Sequence, residues 1–165
     1  MTRLETDITY TFEISENLTP DYRMAQAISI WLRDNLAGLT DDNGNVIFNK
    51  VNTGYNEETL KSLGKKPACD VHISSVDYDT DFTDNKPVTV HTIVLFYFKG
   101  ANNNAYKKAC ELHDYMMQEF IENQEWKILP DVVRDTIIVN SELMNQPTNK
   151  RWGCMGAFEL SHLLY

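Results

Sequence analysis

Basic side chains are scarce in this chain. Fifteen Lys and Arg stand against 24 Asp and Glu, so the net charge at pH 7 is −9 and the isoelectric point is near 4.8. That balance argues against non-specific nucleic-acid binding, which rests on many cations neutralising phosphates. Cysteine is scarce as well. Cys69, Cys110 and Cys154 are too few and too scattered for a disulfide framework. No run approaches ~18 consecutive apolar residues, so no membrane-spanning helix is expected. The opening MTRLETDITY has no hydrophobic leader core, which predicts a cytosolic product. Three motifs are missing: the G-x-x-x-x-G-K-[ST] and G-x-G-x-x-G phosphate loops and the G-x-S-x-G nucleophile elbow. Gly64-Lys65-Lys66 has only the tail of a phosphate loop, since residue 59 is Thr and no hydroxyl residue follows.

What is present is an ordinary globular composition. The chain has 165 residues, 42% of them hydrophobic, which fits one domain (1–165) around one core. Ile8, Tyr10, Phe12 and Ile14 alternate, so residues 1–15 read as an N-terminal strand or arm. Thr19-Pro20-Asp21 is helix-start chemistry, and Met24, Ile28, Trp31, Leu32 and Leu36 follow at helical spacing. The pattern predicts a helix over 20–37, with Gly38 as its stop. After the Asp41–Gly44 turn, a short strand is expected at 46–52. A loop follows over 53–68, with one helical turn at 57–63.

Residues 69–77 alternate and shift phase at Ser74-Ser75, which predicts a bulged strand. Residues 87–98 (PVTVHTIVLFYF) are rich in β-branched and aromatic side chains. They are apolar at every position from Ile93 on, so a central strand buried on both faces is expected. Asn102-Asn103-Asn104 opens a second helix to about 123, with Ala105, Ala109, Leu112, Met116 and Phe120 as its stripe. A connection over 124–135 is expected to be anchored by Trp126. A strand at 136–144, a turn at 145–149 and a strand at 151–164 complete the chain. The order (β)-α-β-β-β-α-β-β predicts an α+β two-layer sandwich, two helices on a mainly antiparallel sheet. Trp31, Leu32, Val94, Leu95, Leu112, Met116 and Phe120 are its expected shared core.

Residues 77–86 read as a projecting, solvent-exposed hairpin arm. Asp77, Asp79 and Asp81 alternate there, with Asp84 three residues on, a spacing that hard cations favour, but both EF-hand registers fail. The Gly position falls on Phe82 or Asp84, and the Glu position on Val88 or Val90. Asp77, Asp79, Asp81, Phe82, Asp84 and Lys86 are therefore candidate interaction residues of the arm. Cys69-x-x-His72 and Cys110-x-x-His113 look like two halves of a zinc site, with Cys154 or His162 to complete it. Residues three apart on a strand, however, point to opposite faces. The histidines, Asp70 and Arg134 converge by no recognisable spacing, so no catalytic group, metal or cofactor is expected.

Several segments together resemble the tail-terminator (tail-completion) family of long-tailed bacteriophages and related viruses. They are the opening helix ending NLAGL, the strand–arm–strand unit CDVHISSVDYDTDFTDNKPVTVHTIVLFYF, and the helix KKACELHDYMMQEFIEN with QEWKILPD after it. The closing strands are DTIIVNSELMN and RWGCMGAFELSHLLY. The resemblance implies a non-enzymatic virion protein that forms a ring, commonly of six subunits, on the head-proximal end of the tail tube. Such a ring stops tube polymerisation and meets the tail-tube protein on one side and the head–tail connector protein on the other. It implies no membrane and no sequence-specific DNA contact. Duplex DNA would pass through the lumen, whose acidic lining repels phosphates. Two other readings stand beside it: another neck or head-completion protein of the virion, and a small ligand-binding or enzymatic domain on a ferredoxin-like scaffold.

Overall fold

The computed structural model describes residues 2–3, 17–54, 67–81, 86–100, 104–118, 127–148 and 151–165. The elements are β1 (Thr2–Arg3), α1 (Pro20–Ala37), β2 (Leu39–Thr40), β3 (Lys50–Thr53), β4 (Ala68–Tyr78), β5 (Pro87–Gly100), α2 (Asn104–Met117), β6 (Val133–Thr148) and β7 (Arg151–Leu164). Of the expected N-terminal strand or arm only Thr2–Arg3 is described, paired with β2; its alternating stretch from Ile8 to Ile14, the helical turn at 57–63, Gly64-Lys65-Lys66, Phe120 and Trp126 lie outside the described residues.

The helix α1 occupies its expected span. Thr19 supplies an extended backbone at the cap but no side-chain cap, and its carbonyl accepts from the Arg23 N–H at 2.9 Å. Asp41 then closes a tight turn. Its Oδ1 accepts from the N–H groups of Asn43 and Asn45, both at 2.9 Å, and Gly44 takes the left-handed conformation that the turn requires (φ +80°). The turn consumes Asn45–Asn49, so the next strand starts at Lys50 rather than at 46. Val46 makes only an isolated bridge to Thr40.

Five strands form one sheet in the order β3-β4-β5-β7-β6. The pair β3–β4 is parallel and the other three pairs are antiparallel. The two hairpins read from the sequence, β4–β5 and β6–β7, are both present, and β5 and β7 join them. The bulge falls where expected, between Ile73 and Ser75. Residues 145–148, read as a turn, instead continue β6 to a pairing of Thr148 with Arg151. An edge strand accommodates Pro147 because its outward side needs no N–H donor.

Both helices pack on one face of the sheet, α1 over β3 and β4, α2 over β5 and β7. Val90, Val94, Phe96, Phe98, Phe158 and Leu160 project from the sheet into this layer and meet Ile28, Trp31, Leu32, Leu36, Leu112 and Met116. Phe96 stacks on Phe158 with ring centroids 5.3 Å apart, and Phe48 stacks on Phe98 at the same separation. Gly156 lies opposite Phe96 in the ladder. A Cβ there would overlap the Phe96 ring and sit 2.8 Å from the Glu142 carbonyl oxygen, so glycine is what admits the aromatic stack.

Leu95 departs from the expected core. Strand alternation places it on the opposite sheet face, half-buried, beside Ile93 and the buried Tyr97. Within β5 only Phe96–Phe98 are buried as a continuous run. The strand is central, but its helix-free face carries half-buried Ile93 and Leu95.

Candidate functional site

The acidic arm is shorter than the sequence implied. Asp77 and Tyr78 belong to β4 and pair with Thr89 and Pro87. The Asp77 carboxylate lies 2.8 Å from His91 Nε2 on the neighbouring strand. Tyr78 is tied to the start of α1. Desolvation, and then the carboxylate of Asp21 to which its hydroxyl is hydrogen-bonded, hold that hydroxyl protonated to higher pH than usual. Beyond the strand, the Asp79 N–H donates to the Lys86 carbonyl at 2.9 Å, and the Asp81 N–H donates to Asp79 Oδ1 at 3.0 Å. Lys86 is exposed, and Phe82 and Asp84 lie outside the described residues. The Asp79 carboxylate is thus engaged with its own chain. Among the described residues, no three His, Cys, Asp or Glu side chains gather in an arrangement that could hold a metal ion.

Within the first candidate zinc half, Cys69 and His72 are parted for the reason strand geometry gives. Cys69 is fully buried in the helix-facing core, while His72 lies on the other face beside Asp70. Burial holds His72 below the ordinary imidazole range, and the Asp70 charge opposes that effect. Asp70 itself is buried on the helix-free face, where the Asn52 amide donates to its Oδ1 at 2.7 Å. Desolvation raises its pKa against that bond. On α2, His113 stacks on Phe158 at 5.5 Å and places Nε2 3.1 Å from Ser141 Oγ. Arg134 sits exposed at the start of β6, at the opposite sheet edge from Asp70.

His162 was not expected where it is found. It is fully buried, with Nε2 2.8 Å from Thr92 Oγ1 and Nδ1 3.0 Å from Thr136 Oγ1. One imidazole thereby ties β5 and β6 to β7. Burial, reinforced by the nearby His91, pushes its pKa down to about 3. Each hydroxyl can donate or accept, so both ring nitrogens of the neutral form are satisfied.

A cleft of about 630 Å³ lies between the Asp41–Asn49 segment and α2. Asp41, Asp42, Glu111 and Asp114 line it against Lys108, with Phe98 behind. Its size falls in the range of small-molecule sites.

The sheet edges are the remaining feature. The strand β6 is sixteen residues long and, among the described residues, pairs with β7 alone. Its Ile137, Val139 and Met144 are 45%, 56% and 54% exposed. At the other edge, β3 pairs with β4 from Ala68 to Val71. No family model and no curated protein matches this chain.

Proposed function

We propose that this protein is a tail terminator: a non-enzymatic virion component that forms a ring of six subunits at the head-proximal end of the tail tube. The ring ends tube polymerisation and presents the head connector with its joining surface. The observation that carries the reading is a two-layer domain whose sheet, among the described residues, ends in β3 on one side and in β6 on the other. Such a domain can repeat around an axis, because each edge offers a row of backbone donors and acceptors to a neighbour. The net charge of −9 suits a lumen that must pass duplex DNA without holding it. The hairpin beyond Tyr78, with Asp79 and Asp81 exposed or half-exposed at its root, is a surface for the tube or the connector.

The test is an assembly reaction lacking only this protein. Tails of uncontrolled length, unable to join heads, are expected. Tails of normal length that fail to join would instead identify a neck or head-completion protein. Tails of normal length that join heads would refute both. The acidic cleft favours a second reading, a small-ligand-binding domain, which predicts a monomer or dimer whose melting temperature rises with a specific cationic ligand.

A further inference from the structure

We propose that the end of the domain where the acidic hairpin begins docks an arginine-bearing segment of a partner protein, held by Tyr22, Tyr78 and the carboxylates around them. The proposal deepens the terminator reading and rests on it for one point, that the partner is another protein of the tail. The chemistry of the surface comes from its residues.

Exposed apolar side chains gather at this end. Tyr78, the last residue of β4, pairs with Pro87 and donates its hydroxyl to the Asp21 carboxylate in the first turn of α1. It therefore lies on the helix-bearing side, with the Tyr22 phenol close enough to act on it electrostatically. Val88, the extra residue where the β4–β5 register shifts, comes next on β5. Tyr22, Tyr78 and Val88 are 42%, 36% and 37% exposed, although each belongs to or adjoins a regular element that could have covered it. The bond to Asp21 fixes the Tyr78 ring in place, so docking removes little of its freedom. Tyrosines held in this way are common anchors of protein interfaces.

Charge identifies the partner's chemistry. Across residues 21–23, 77–81 and 86, four carboxylates stand against two cations. The Asp77 side chain is 57% exposed even with His91 beside it, and Asp81 is exposed. Of the cations, Arg23 donates Nε to the Leu18 carbonyl at 3.0 Å, and Lys86 is exposed. The balance favours a cationic partner and disfavours nucleic acid, and a second copy of the chain brings its own net charge of −9. Carboxylates alone attract any cation. The phenol rings select among cations, because a guanidinium stacks on an aromatic face while its fork reaches a carboxylate. An ammonium is a strongly hydrated point charge and does this less well.

The probe is a fluorescein-labelled hexa-arginine peptide, followed by anisotropy at physiological salt. The wild type should bind it more tightly than hexa-lysine. Tyr22→Ala and Tyr78→Ala should each weaken binding about two- to fivefold, and together about tenfold, although neither changes the charge. Tyr78→Phe keeps the ring without the hydroxyl and should bind as the wild type does. Tyr106→Ala removes an equally exposed ring from α2 and should change nothing. Melting temperatures taken in parallel separate a lost ring from a lost fold. A wild type that does not bind the peptide would overturn the proposal. So would a folded Tyr22→Ala/Tyr78→Ala double variant that binds as tightly as the wild type, since that leaves only diffuse attraction to an acidic surface. Tail assembly is scored separately. Peptide binding that needs both tyrosines, with tails that assemble normally without the protein, would sink the terminator reading alone. Tails that require the protein yet assemble with the double variant would sink this contact alone.

Discussion

Acid should unfold this protein through one buried imidazole. His162 titrates near 3 in the folded chain against an ordinary value of 6.5, because its site between Thr92 and Thr136 has no room for a charge. The unfolded chain takes up this proton below about pH 6.5 and the folded chain does not, so the unfolded state binds more protons throughout that window. The stabilisation from holding His162 neutral is therefore fully present above the unfolded value. It is lost as pH falls from 6.5 toward 3. One proton corresponds to about 1.4 kcal/mol per pH unit, so the loss reaches roughly 2–3 kcal/mol by pH 4.5 and on the order of 5 kcal/mol in full. His162→Gln keeps a donor and an acceptor for the two threonines but cannot titrate. Urea unfolding of both proteins from pH 7.5 to 4.5 isolates the effect, because other titrating groups contribute equally to each. The stability advantage of the wild type should shrink below pH 6.5 with that slope. A difference that stays constant across the range would show that the imidazole is not held neutral and that the network is misassigned.

Three further outcomes follow from the packing. Gly156→Ala forces a methyl group into the Phe96 ring and the Glu142 carbonyl, and should cost roughly 1–3 kcal/mol in denaturant unfolding, although the change is a single carbon. Val94→Ala empties a fully buried site and should cost about 2 kcal/mol, more than Leu95→Ala on the half-buried face, although leucine loses more atoms. Replacing residues 80–85 with an Asn-Gly turn keeps the Asp79–Lys86 pairing and should move the melting temperature by less than about 2 °C while abolishing tail assembly. A large loss of stability would mean that this segment is packed into the body.

The helix over 20–37 was legible because Pro20 fixes its start and a stripe from Met24 to Leu36 fixes its face. The bulge at Ser74-Ser75 was legible because a phase shift in alternation has no other simple reading. Leu95 was misread because both faces of β5 carry apolar side chains there, so period-two alternation disappears from the letters and returns only with burial. Asn145-Gln146-Pro147-Thr148 has the composition of a turn. Its strand conformation comes from the long β7 partner and from lying at an edge, neither of which is a local property. Nothing in the sequence marks His162 with Thr92 and Thr136, or Asp77 with His91. These residues meet only through the register of β4, β5, β7 and β6.

The pairing of β5 with β7 sets the kinetic character of the fold. The hairpins β4–β5 and β6–β7 each close over short stretches of chain, but the ladder between them joins residues 89–100 to residues 152–163. Each hairpin can therefore form early at small entropic cost. Zipping β5 against β7 must close the whole intervening chain before Phe96 reaches Phe158. The barrier to folding lies at that seam. Substitutions along it, at Phe96 or Phe158, and substitutions within the hairpins that form before it should slow folding.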